Sequence, residues 1–111
     1  MANTDVVRDM FDAYLAGDAL RGAALLDEAF TFTSPQDDHI DKAAFMAQCF
    51  PTAQRVSSQE LLHVVGDGGD GVFVMYEYVL RDSGERHRNT EHIVVRDGLL
   101  VETNVFFGGR Y

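Results

Sequence analysis

An acid set among phenols in a β-rich stretch is the arrangement in this sequence best suited to chemistry. Asn89 and Glu91 stand two residues apart, and Tyr76 and Tyr78 repeat that spacing on the preceding run. Side chains alternate along a strand, so residues two apart share a face. A carboxyl among Val74, Leu80, Ile93 and Val95 is pushed toward its neutral form, because burial penalises charge. Neutral, Glu91 donates a hydrogen bond to a carbonyl; ionised, it abstracts a proton. The bland alternative is a structural acid that satisfies Tyr76 or a backbone amide. Tyr76, Tyr78 and Asn89 are its polar companions, and Tyr14 reaches the same space from a helix. Each tyrosine equally suits a wall, where its hydroxyl needs one partner.

Other chemistry-bearing residues are more isolated. His63 lies in an apolar run and is a candidate base facing the pocket, or a hydrogen-bonded structural histidine. His92 follows Glu91 directly, so alternation sends it to the opposite face and disfavours a dyad. The cluster Asp37-Asp38-His39-Asp41 offers one imidazole and crowded carboxylates, and Asp41 suits a helix cap better than a metal site. Ser34 has no His or Lys placed by sequence to activate it. Cys49 is the only cysteine, which leaves no internal disulfide and predicts a small buried side chain. Gly66 to Gly71 lacks a P-loop lysine and a following helix, and reads as a hairpin loop.

Helices come first in the elements that must position these residues. Asp5 to Ala16 carries Val6, Val7, Met10, Phe11, Tyr14 and Leu15 at helical spacing, with Thr4 or Asp5 as cap and Gly17 as stop. Asp18 to Leu26 predicts a second helix with Leu20, Ala24 and Leu25 or Leu26 inward. Phe30 and Phe32 alternate as a strand stopped by Pro35. After a polar loop, Asp41 to about Phe50 predicts a third helix. The period then changes to strands over Ser58–Val65, Val72–Leu80, Arg86–Val95 and Leu99–Phe107. In the first of these, Leu62 and Val64 take one side and Leu61, His63 and Val65 the other. The class is α+β, with helices segregated on one face of the sheet.

Hairpin turns set lateral neighbours. A two-residue turn at Ser83-Gly84 places Tyr76 opposite Glu91 and Tyr78 opposite Asn89. The last hairpin has two solutions. A two-residue Asp97-Gly98 turn puts Asn104 opposite Glu91. A three-residue turn puts Thr103 there and sends Val101, Val105 and Phe107 to the same face.

Composition bounds the function. At 111 residues and 46% hydrophobic, one domain spanning 1–111 can bury a core. Eighteen acidic against nine basic side chains give a net charge of −9, which repels phosphate backbones and argues against nucleic acid. No apolar run reaches the roughly 18 residues of a membrane span. The opening Met1-Ala2-Asn3-Thr4-Asp5 lacks a signal-peptide pattern, which predicts a cytoplasmic location.

Two stretches resemble a known family. Tyr14 through Ala16-Gly17-Asp18, then Leu26, Phe30, Phe32 and Thr33-Ser34-Pro35, is similar to the opening of SnoaL-like proteins, members of the nuclear transport factor 2-like superfamily. Asn89-Thr90-Glu91-His92-Ile93, Arg96-Asp97-Gly98 and Val105-Phe106-Phe107-Gly108 resemble that superfamily's last hairpin. The resemblance implies a cone-shaped, cystatin-like α+β barrel, whose curved sheet wraps N-terminal helices around a deep pocket. It also implies homodimers. Where the ketosteroid isomerases carry a general-base Asp, this chain has Ser34; where they carry an oxyanion-hole Tyr, it has Met10. Glu91 alone matches, at their second oxyanion donor. The Arg-x-Asp of the epoxide hydrolases is similar to Asn89-Thr90-Glu91 but lacks the Arg charge, and a second carboxylate there requires Glu102.

The expectation is a small-molecule pocket protein without metal or organic cofactor, binding a small, largely apolar ligand. Glu91 serves as acid/base or donor, with Tyr14, Ser34, His63, Tyr76, Tyr78, Asn89 and Phe107 around the ligand. An isomerase, cyclase or hydrolase stands beside a non-catalytic carrier or sensor. The third reading is a dimer module packed through Phe73, Met75, Val94 and Val101.

Overall fold

Alternating apolar runs too long for one flat layer fold here into a strongly curved sheet, shown by a computed structural model that describes residues 2–110. Met1, in the leader reading, and Tyr111, at the end of the expected domain, lie outside the described residues. Helix α1 (Asn3–Ala16) is followed by a short α2 (Ala19–Ala24). Strands β1 (Leu26–Ser34) and β2 (Asp37–Asp41) lead to α3 (Lys42–Gln48) and a 3₁₀ segment (Phe50–Arg55). The long strands are β3 (Val56–Gly66), β4 (Gly71–Leu80), β5 (Arg86–Arg96) and β6 (Leu99–Arg110). They form one six-stranded, unclosed sheet in the order β2-β1-β6-β5-β4-β3. Every joint is antiparallel except β1–β6, which is parallel.

The helices lie in the concavity. Val6, Val7, Met10 and Phe11 of α1 are buried against Val72, Val74, Ile93 and Val95. Phe45 meets Phe30 edge to face with centroids 5.2 Å apart and lies tilted against Phe32 at 5.0 Å, closing this side. Phe11 packs edge-on to Tyr76 with centroids 5.0 Å apart. That contact ties α1 to the middle of β4.

Several local expectations change. The α1 N-cap is Ala2, with no side-chain cap from Thr4 or Asp5, whereas Gly17 ends the helix in the left-handed conformation (φ 68°) as expected. Leu15 is exposed, and buried Ala13 takes its place. In α2, Leu20 is exposed and Gly22 is buried instead, its Cα lying against Phe50. Leu26 belongs to β1. Asp37-Asp38-His39 forms strand rather than loop, and the expected third helix is present but ends at Gln48, with 3₁₀ geometry following from Phe50 around Pro51. Asp41 caps α3 by accepting from the Ala44 amide at 2.9 Å.

Registers shift for identifiable reasons. Tyr76 faces Asn89, Tyr78 faces His87 and Val74 faces Glu91. The turn has four residues instead of two, because Arg81 leaves the ladder. Its amide bonds the Arg55 carbonyl at 2.7 Å, and its guanidinium bonds the Gln54 and Val56 carbonyls. A two-residue shift preserves faces, so the face Glu91 shares with Tyr76 and Asn89 survives. In the last hairpin, Arg96 pairs Leu99 across a two-residue Asp97-Gly98 turn, both residues at positive φ. A bulge between Val94 and Val95 then adds one residue to β6, and Val105 lies opposite Glu91. Neither Thr103 nor Asn104 takes that place; Thr103 pairs Ile93 and is buried.

Candidate functional site

Between the concave face, α1, α3 and the 3₁₀ segment lies a hollow of about 510 Å³. Its wall is apolar at Met10, Phe11, Phe32, Phe45, Val56, Leu80 and Val105. Glu91, Tyr76, Tyr78, Asn89 and Tyr14 bring polar atoms to it, Ser34 and Phe107 stand on its lining, and Phe107 is half exposed.

Glu91 is the centre of a directed network. The Tyr76 hydroxyl donates to its Oε2 at 2.5 Å, and Asn89 Nδ2 donates to the Tyr76 oxygen at 3.2 Å. Burial raises the Glu91 carboxyl to about 7, against a smaller opposing pull from the Tyr76 hydrogen bond. Burial, with the neighbouring Glu91 charge, likewise lifts the Tyr76 hydroxyl well above its ordinary value. Tyr14 and Tyr78 are raised by burial too. A carboxyl poised near neutrality inside an apolar hollow can exchange a proton with a bound molecule.

On the helical side, the Tyr14 hydroxyl lies 2.7 Å from Thr52 Oγ1, and Thr52 donates to the Cys49 carbonyl at 2.6 Å. Cys49 is only half-buried on the hollow's lining. Its thiol points to Asp37 Oδ2 at 3.9 Å and is raised to about 11, chiefly by burial and then by the Asp37 charge. It is no thiolate near neutral pH.

His63 does not belong to the site. It is exposed and pairs Met75 on the outer face. A bulge between Leu61 and His63 breaks the alternation, so Leu61 and Val64 pack on the core while His63 and Val65 turn away. Glu102 is likewise not on the lining, so it supplies no second carboxylate there. His92 lies outside as alternation requires, bonded to Asp67 at 3.0 Å and packed on Phe73. No metal-holding group of three or more His, Cys, Asp or Glu occurs among the described residues. Sequence reasoning missed Thr52, Arg55, Gln59 and Asp37 on the lining.

A curved, unclosed sheet folded over N-terminal helices is the architecture of nuclear transport factor 2-like proteins. The SnoaL-like domain model matches residues 7–103, and the chain belongs to that family. No match emerges among curated proteins. Similar solved structures include a candidate ketosteroid isomerase from Kribbella flavida DSM 17836, with TM-score 0.79, 23% identity, and coverage of 98% of this chain and 79% of that one. A candidate polyketide cyclase from Sinorhizobium meliloti is similar with TM-score 0.79 and 20% identity, covering 91% and 93%. A cystatin-like protein of unknown function from Methylobium petroleophilum PM1 has TM-score 0.83 and 13% identity, covering 96% and 76%. These likenesses show the fold.

Proposed function

We propose that the chain binds a small, largely apolar molecule in the hollow, with Glu91 as its acid/base or hydrogen-bonding group. The observation that supports this reading is the Glu91 carboxyl, held near neutrality beside Tyr76 inside an apolar wall. Catalysis would be of the isomerase, cyclase or hydrolase kind, without metal or organic cofactor. The kinship with ketosteroid isomerase-like and polyketide cyclase-like folds agrees with it. The working form is a cytoplasmic homodimer of one SnoaL-like domain, packed through the outer sheet face, where Phe73 and Met75 are exposed. Among the described residues, no helix is long and apolar enough to cross a membrane.

A carrier or sensor without turnover is the second reading. Ser34 and Met10 favour it: among the described residues the Ser34 oxygen accepts only the Gln36 amide, and the Met10 side chain has no hydrogen to donate. Native mass spectrometry of the freshly purified chain, followed by incubation of any released compound with native and Glu91→Gln protein, separates the two. Turnover by the native chain alone supports the enzyme. Retained binding with no product supports the carrier. A chain that takes up no small apolar compound overturns both.

A further inference from the structure

The hydrogens around Glu91 can be assigned one by one. Thr52 gives its only hydroxyl hydrogen to the Cys49 carbonyl. Tyr14, 2.7 Å from the same Thr52 oxygen, must therefore be the donor in that contact. Tyr76 gives its hydrogen to Glu91, and Asn89 gives one to Tyr76. The Asn89 amide also meets the Tyr78 hydroxyl, and the Cys49 thiol is turned to Asp37. What remains around Glu91 is mostly oxygen, while the wider lining also carries Arg55 and the amides of Gln36, Gln48 and Gln59. Glu91 Oε1 has no hydrogen-bond partner among the described residues, and Tyr14 keeps only lone pairs. The Tyr78 hydroxyl hydrogen is the donor left over in this group. Asp37 adds a second carboxylate to the same wall, against one cation, Arg55.

We propose that, with Glu91 ionised, the ligand presents a hydrogen-bond donor, a hydroxyl or an amine N–H, to Glu91 Oε1, and that carbonyl and carboxylate ends are disfavoured there. This rests on the ligand-binding reading above and chooses among its substrates. A carbonyl oxygen set against the carboxylate leaves two buried acceptors unpaired, and a carboxylate adds repulsion between like charges. A donor completes the network instead.

The test is calorimetric titration of the intact chain at pH 8 with ten-carbon bicyclic probes: decalin, 2-decalol, 2-aminodecalin, 2-decalone and decalin-2-carboxylate. Decalol or aminodecalin should bind at least about tenfold more tightly than decalone, the size of one hydrogen bond to a charged group. Glu91→Gln should erase most of that preference, because an amide offers both a donor and an acceptor. Equal binding of alcohol and amine assigns the preference to hydrogen donation; a further gain for the amine assigns part of it to charge. Both outcomes support the proposal. Decalone or the carboxylate binding as tightly as decalol overturns it while leaving the pocket reading intact. Failure of every probe, decalin included, overturns the pocket reading, and this inference falls with it.

Discussion

Tyr76 and Glu91 are not register partners, yet the Tyr76 hydroxyl reaches the Glu91 carboxyl at 2.5 Å. The contact runs diagonally across β4 and β5, because a tyrosine spans the two-residue offset between Asn89 and Glu91. Tyr76→Phe removes the one hydrogen bond that favours the ionised acid. The Glu91 carboxyl should then titrate above its present value of about 7. Carbon-13 NMR of labelled glutamate across a pH series reads this directly. An unchanged midpoint would show that Tyr76 does not hold the charge.

Stability should fall as pH rises from about 4.5 to about 7. The folded Glu91 carboxyl titrates near 7, above its model value of 4.5. The folded state therefore holds a proton that the unfolded chain has already released. The resulting stability is complete below about 4.5 and is lost as pH rises through about 7. A raise of this size corresponds to about 3 kcal/mol. Asp67 and Glu85, lowered by hydrogen bonds from His92 and Arg110, act oppositely and only in acid. Urea unfolding at pH 5.5 and 8 should show the loss in the native chain and little of it in Glu91→Gln. Parallel behaviour of the two proteins would refute the assignment.

Thr52→Val should change which ligands are welcome. The variant loses the acceptor of the Tyr14 hydrogen, which becomes free to point into the hollow. Carbonyl-ended probes should gain affinity several-fold, at a cost of about 1 kcal/mol in stability for the lost hydrogen bonds. Calorimetry and thermal unfolding measure the two effects separately. No gain for the ketone would mean that Tyr14 finds another partner.

Gly108→Ala should be costly for its size. A Cβ there would stand 2.5 Å from the Arg88 carbonyl oxygen, a backbone atom that cannot swing aside. Gly108 is the residue that β6 inserts between the Arg88–Gly109 and Asn89–Phe107 pairs. We expect a loss of about 1–3 kcal/mol, in the range of an overpacked site. Phe107, one residue away on the rim of the hollow, should lose its order as well. Denaturant unfolding and the Phe107 ring resonances check both.

The helical stripe of α1 and the strand periods were legible because period alone carries them. The face shared by Glu91, Tyr76 and Asn89 was legible for a subtler reason. The β4–β5 turn was misjudged by two residues, and an even error leaves every side chain on its proper side. His63 was misplaced because the irregularity beside Leu62 is a single residue, and an odd error inverts the strand beyond it. The bulges at Leu62 and Val101 carry no glycine or proline to announce them, unlike the one at Gly108. Arg81 was equally silent: its carbonyl partners lie at the end of the 3₁₀ segment and the start of β3, more than 20 residues away. The parallel β1–β6 joint arises from tertiary packing and has no local signature.

Val101 has no counterpart on β5, and everything downstream inherits that surplus. Pair it with Val94 instead and the parity of the last strand reverses: Asn104 and Phe106 would look into the concavity while Thr103, Val105 and Phe107 looked out. The polarity of one whole wall thus hangs on the count of residues between a turn and a kink.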